Sequence, residues 1–310
     1  MFEDWGGKRY NNFNYHLKKT FGEKVYRVSI DAGFTCPNRD GTLGRGGCIF
    51  CDAAGSRAGY VIPELTVKEQ ILRGIELMRK NTGAKKFIAY FQAFSNTYAP
   101  VEKLEKIYKE ALQFPEVVGI SISTRPDLVP DEVLDLLEDI GKTTYLWLEL
   151  GVQTLNERVL KRLNRKHTVE QTIDAIKRAL KRPHIRLLAH LILGLPGETV
   201  DDMLNTAIGV SKLGVHGVKL HHLYVIKDTV LEKLYEKGIV KVYEKPEEYA
   251  EVAVKFLEHL NPEIIVHRLQ GFARENLVAP LWTANKFAGI QAIENLLEKR
   301  NTYQGKLYKS

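Results

Sequence analysis

"IRLLAHLILGLPGETVDDMLNTAIGVSKL", residues 185–213, decides the fold. Its opening run, IRLLAHLIL, is apolar with hardly a polar position, which reads as a strand buried on both faces. GLPGET breaks the run with two glycines and a proline. Thr199 then stands as the N-cap of an amphipathic helix, TVDDMLNTAIGVSKL. Strand, polar loop and helix thus follow one another within about thirty residues, the length of one βα unit.

The unit recurs in both directions from this point. Buried-strand patterns occur at VYRVSI (25–30), FIAYF (87–91), VVGISIS (117–123), YLWLEL (145–150) and GVKLHHL (217–223). Helical patterns lie between them, and Thr66 and Thr168 are N-caps for two. Six strands in βα alternation predict an α/β fold, a partial (β/α)6 TIM-type barrel of parallel strands with a C-terminal helical extension. A flat doubly wound sheet is the alternative. The expected organisation is an N-terminal extension over 1–24, the barrel over 25–240 and a C-terminal extension over 241–310.

Parallel βα architectures build their sites beyond the C-terminal strand ends. In chain order, the segments there are a cysteine-bearing loop, QAFSNT, TRPD, GVQT, GLPGET and YVIKDT. All three cysteines of the chain, Cys36, Cys48 and Cys51, fall in the first loop with the spacing C-x11-C-x2-C. MFEDWGGKRY at the start lacks the apolar run of a signal peptide, and no apolar stretch is long enough to span a bilayer. A cytoplasmic protein with no membrane partner is expected. In a reducing compartment an odd cysteine cluster points to metal binding or redox chemistry rather than a disulfide. Zinc in a closed site wants four ligands, and His16 is one of nine histidines that could complete the set. A 4Fe-4S cluster on three cysteinates instead keeps one iron open to a small molecule.

Charge is concentrated. Residues 151–190 hold ten Lys and Arg against three Asp and Glu, a local +7 equal to that of the whole chain of 310 residues. Such a face suits a polyanion, tRNA above all; a solvated face of the amphipathic helix NERVLKRLNRKHTVEQTIDAIKRALKRP is the alternative. DNA is not expected as a partner.

The three-cysteine loop after the first strand of a partial barrel resembles the radical S-adenosylmethionine (SAM) superfamily. The usual spacing there is C-x3-C-x2-C, and the first gap is eight residues longer here. Long first gaps resemble the branch of the Elongator catalytic subunit. Still nearer is the YtqA/YhcC type, through DAGFTCPNRDGT, GCIFCD, STRPD, ELGVQT, LNRKHT and HLILGLPGET. The resemblance implies a 4Fe-4S cluster on Cys36, Cys48 and Cys51, with SAM on the open iron. It implies reductive SAM cleavage to a 5'-deoxyadenosyl radical, with an electron from a donor such as flavodoxin or ferredoxin.

The resemblance also assigns SAM contacts residue by residue. Phe50 lies where the family places an aromatic against the adenine, and Val225 where a backbone group meets it. Ser95 and Asn96 of QAFSNT replace the glycine-rich motif that receives the SAM amino group. Ser123 or Thr124, at the end of the third strand, falls at a ribose position. Gln153 and Arg165 resemble a pattern of the oxygen-independent coproporphyrinogen oxidases, in which glutamine meets the nucleoside and arginine the methionine carboxylate. His190 resembles the Elongator branch; a hydrogen-bonded core histidine is its other reading. Lys219, His221 and His222 face substrate or alternate in and out of the wall. The resemblance implies processing of the C5 side chain of the tRNA wobble uridine, from carboxymethylaminomethyl to aminomethyl. The alternatives are a radical enzyme acting on a small metabolite and a non-enzymatic zinc-binding RNA adaptor.

Overall fold

The computed structural model describes residues 5–309, so Met1–Asp4 of the opening MFEDWGGKRY and Ser310 lie outside the described residues. The chain runs α1 (Phe13–Phe21), β1 (Val25–Ile30), α2 (Val67–Thr82), β2 (Lys86–Phe91), α3 (Val101–Ala111), β3 (Val117–Thr124) and α4 (Asp131–Gly141). It continues with β4 (Tyr145–Gln153), α5 (Glu157–Arg162), α6 (Val169–Leu180), β5 (Arg186–Leu193), α7 (Val200–Leu213) and β6 (Gly217–His222). Then come β7 (Val225–Ile226), α8 (Val230–Glu236), α9 (Pro246–His259), β8 (Ile265–Arg268), β9 (Leu277–Ala279) and α10 (Ala288–Lys299).

The six expected strands are present and parallel, in the order β1-β2-β3-β4-β5-β6. A seventh, β8, extends the sheet beyond β6. Its short run, IVHR, lies in the segment expected to be a helical extension. β1 and β8 are the two edges, yet the Arg27 guanidinium of β1 donates to Nδ1 of His267 in β8 at 2.6 Å. A sheet whose first and last strands touch is curled, so the architecture is a partial barrel and not a flat sheet. The N-terminal segment covers the last edge: Asn12 bridges Val266, whose N–H donates to Asn11 O at 2.7 Å.

Helices begin where the threonines predict. Thr66, Thr168 and Thr199 each cap a helix and form reciprocal capping boxes with Glu69, Gln171 and Asp202. A further expectation changes. The basic stretch from Asn156 is two helices, α5 and α6, because Asn164 and Lys166 take positive φ between them. That turn buries Arg165 and His167, so Arg165 is not a surface-helix residue.

The main apolar core lies between the sheet and its helices. A second cluster closes the lower end of the barrel, at the N-terminal ends of the strands. There Phe13 and Leu17 of α1 pack with Val25, Ile88, Trp147, Leu188 and Ile265. The C-terminal strand ends are left as the open mouth.

Candidate active site

Each βα loop delivers groups to this mouth. The cysteine loop is the most elaborate, and its long first gap is a closed excursion. Leu43 N–H donates back to Pro37 O at 2.8 Å, and Asp40 bridges Arg45. Gly47 N–H donates to Asn38 O at 2.9 Å, bringing the chain back beside its start before Cys48. The buried Asn38 amide donates to Asn164 O at 2.7 Å, and Asn164 donates to Gly47 O at 2.8 Å. Cys36, Cys48 and Cys51 line one cavity despite the extra residues, and Asn38 Nδ2 is 3.6 Å from Cys48 Sγ. Two further backbone bonds pin the loop, from Ile49 N–H to Leu163 O at 3.1 Å and from Leu231 N–H to Ile49 O at 2.8 Å.

The three thiols are free, and arginines surround them. Arg39 Nη1 lies 3.5 Å from Cys51 Sγ, and Arg165 Nη1 lies 3.5 Å from Cys48 Sγ. Arg125 donates to Asp127 at 2.9 Å and to Arg165 O at 2.8 Å. Burial would lower its pKa, but Asp127 and the nearby thiols Cys36 and Cys48 raise it. Burial and the neighbouring Cys48 push the Cys51 thiol up to about 11, so a bound metal would have to displace that proton. Arg165 Nε and Arg125 Nη1 are buried without a partner. Three sulfur donors beside three guanidiniums suit a cofactor whose thiolates bring negative charge, and the unpaired arginine nitrogens suit a ligand with acceptor oxygens. The residues present fit a 4Fe-4S cluster on Cys36, Cys48 and Cys51, with SAM against it. His16 is no part of this set. It meets Tyr145 Oη at 2.9 Å at the first residue of β4, the opposite end of the strands.

Phe50, Ser95, Ser123, Gln153, Arg165 and His190 line one cavity with the cysteines. Gln153 ends β4 at φ 69°, past a bulge that begins at Leu150, and beside Gly151, whose carbonyl accepts from Arg165 Nη2 at 2.6 Å. Asn96 and Val225 do not line that cavity. Asn96 is buried and donates to Ser123 O at 2.8 Å, tying QAFSNT to β3, while its Oδ1 has no partner. Val225 is buried in an apolar cluster with Ile49 and Leu223, against which Phe50 packs.

Below the thiols the barrel holds a polar layer. Glu149 of β4 is completely buried and accepts from Ser121 at 2.5 Å, from Arg27 at 3.0 Å and from Lys219 at 3.1 Å. His190 Nε2 meets the same carboxylate at 2.5 Å, and Lys219 donates to Tyr90 Oη at 2.6 Å. Burial alone would raise the Glu149 pKa, but Arg27 and Lys219 hold it well below the usual carboxylate range. Burial lowers His190 to about 4, with Lys219 adding to the shift, so it is neutral at physiological pH. Glu149, Tyr90 and Arg268 had no place among the expected site residues. One charge inside an otherwise apolar strand, as in YLWLEL, is the signal that would have found Glu149.

A partial parallel barrel with three free cysteines at its mouth defines a class, and comparison with known proteins names it. The model described as "Radical SAM superfamily" matches residues 36–207, and that of the "Radical_SAM C-terminal domain" matches residues 215–299. The chain belongs to the radical SAM superfamily, whose members bind a 4Fe-4S cluster and SAM. It is 43% identical to YtqA of Bacillus subtilis over 97% of this chain and 93% of that protein. It is 38% identical to YhcC of Escherichia coli K12 over 94% of this chain and 93% of that one. A tRNA uridine(34) acetyltransferase of Methanocaldococcus infernus is 29% identical over 47% of this chain and 27% of its own length. Among solved structures, archaeal Elp3 from Methanocaldococcus infernus shares the fold, with a TM-score of 0.64 and 19% identity, covering 90% of this chain and 64% of that one. No helix among the described residues is long and apolar enough to cross a membrane.

Proposed function

We propose that this radical SAM enzyme processes the C5 side chain of the tRNA wobble uridine, converting carboxymethylaminomethyl to aminomethyl. The observation that carries the enzymatic reading is that the thiol loop opens onto a cavity that also reaches Tyr90, Glu149, His190, Lys219 and Arg268. The cluster and SAM, when bound, supply a carbon-centred radical able to take hydrogen from an unactivated carbon. The chain's own residues do the rest. Cys36, Cys48 and Cys51 hold the cluster, Arg165 orients the SAM carboxylate, and Gln153 and Phe50 meet its nucleoside. Ser95, Asn96, Ser123, His190 and Val225 complete the surroundings, Asn96 and Val225 from behind the cavity wall. An electron donor of the flavodoxin or ferredoxin type is part of this proposal. The likeness to a tRNA uridine(34) acetyltransferase supports the substrate, as do Arg162 and Lys166, exposed on the turn that carries Arg165.

Anaerobically reconstituted protein should take up about four irons and four sulfides per chain. With reductant and SAM it should release 5'-deoxyadenosine, and Cys48→Ala should abolish this. Stoichiometric zinc with no iron uptake would overturn the cofactor assignment. Nucleosides of tRNA from cells lacking the gene should accumulate carboxymethylaminomethyluridine; an unaltered profile would move the substrate to a small metabolite.

A further inference from the structure

The floor of the cavity carries more positive charge than its own residues neutralise. Arg27 and Lys219 share the single carboxylate of Glu149, at 3.0 and 3.1 Å. Arg268 lines the same cavity, and no acidic side chain among the described residues lies within ion-pair distance of it. Its Nη2 meets the His221 ring at both nitrogens, and its Nε is buried with no partner. Burial, with Arg27 and Arg268 adding to the shift, lowers Lys219 to about 7, so two guanidiniums and a partly protonated ammonium face one carboxylate in a layer shielded from water.

The backbone is bent to put Arg268 there. Val218 pairs with Val266 and Lys219 with Arg268, so β8 spends one extra residue, His267, against β6. A bulge of this kind re-aims a side chain, and such bulges occur beside active sites. Without it the period of two along the strand would give the position beside Lys219 to His267 and turn Arg268 to the other face. Lys219 also pairs in register with His190, so His190, Lys219 and Arg268 sit side by side on three neighbouring strands. Arg165, which touches Cys48 Sγ, belongs instead to the loops at the mouth, where the cofactor's amino-acid end is expected.

We propose that Arg268, with Lys219 beside it, is the receptor for a carboxylate carried by the substrate, and that it selects substrates bearing one at the end of a short side chain. The substrate's identity rests on the wobble-uridine reading; the carboxylate receptor itself does not. An arginine fork matches a carboxylate with two parallel hydrogen bonds, and the incoming anion balances the excess charge.

N-benzylglycine is the probe, its ring standing for the pyrimidine and its CH2–NH–CH2–COO− for the side chain. Calorimetric titration into cluster-loaded protein saturated with SAM should show binding that N-methylbenzylamine, which lacks the carboxylate, does not reproduce. Arg268→Gln should weaken it about tenfold or more, and Arg268→Lys by less, because the charge remains. The KM for tRNA carrying carboxymethylaminomethyluridine should rise by a similar factor in Arg268→Gln. Iron content and melting curves report whether that variant folds; if it does not, Arg268→Lys against wild type carries the comparison. Equal binding of N-benzylglycine to wild type and variants overturns the receptor. So does binding that SAM abolishes, which would assign Arg268 to the cofactor. Arg268-dependent binding without any tRNA turnover keeps the receptor and removes the wobble-uridine substrate. Turnover with an unchanged KM in Arg268→Gln does the reverse.

Discussion

Glu198, in the GLPGET turn, shows how one side chain couples stability to pH. Thr154 Oγ1 donates to its carboxylate at 2.7 Å, but burial dominates and raises its pKa to about 7. A carboxyl whose folded value lies above its unfolded one binds its proton more tightly in the fold. Its contribution is therefore complete below the unfolded value of 4.5 and is lost as pH rises through about 7. The penalty above that pH is of order 3 kcal/mol. Glu198→Gln should raise Tm at pH 8 relative to wild type and flatten the fall in Tm between pH 5 and pH 8; a parallel shift at all pH values would contradict this. At this scale the sequence showed the cysteines, because three thiols in one loop have few structural explanations. It hid Arg268, whose inward position depends on a bulge that no side-chain pattern announces.

The end of β4 illustrates what an element contributes beyond its residues. Leu150 pairs with Ala189 and Gln153 with Leu191, so the strand bulges as it leaves the sheet and Gln153 takes φ 69°. A Cβ on Gly151, inside that bulge, would stand 3.0 Å from both Arg165 Nη2 and Gln153 Nε2, close enough that both must give way. Gly151→Ala should displace both groups together. SAM affinity, measured by equilibrium binding to reconstituted protein, is expected to fall by about tenfold while iron content stays at the wild-type level. Unchanged affinity would detach Arg165 and Gln153 from SAM. Strands and capped helices were legible at this scale because apolar runs and Thr-led boxes are local signals. β8 was not, since IVHR is four residues long with two polar ones and owes its place to neighbours distant in sequence.

Across the whole molecule, the +7 of residues 151–190 proves to be divided. Arg178 and Arg182 are paired with Asp131 and Asp135 of α4, Arg158 with Asp202 and Lys161 with Glu157. Arg165 is buried among the thiols, whereas Arg162 and Lys166 remain exposed by the mouth. Lys177 and Lys181 are exposed too, but Lys181 lies five residues before β5 begins, at the closed end of the barrel. Reversing Arg162 and Lys166 to Glu should weaken tRNA binding and reduce the slope of log affinity against log salt by about two. Reversing Lys177 and Lys181 should do less; the opposite ranking would place the RNA on another face. Net charge by segment was readable in the sequence, but its neutralisation by α4 was not, because it is set by tertiary contact.

The cork that α1 places beneath the strands has a consequence for traffic. Among the described residues the base of this vessel is packed with side chains, and the thiols stand at its mouth. A guest beside Lys219 and Arg268 shares one cavity with the cysteine loop above it. A reactive species formed at the mouth would therefore meet a guest held on that floor before it met solvent.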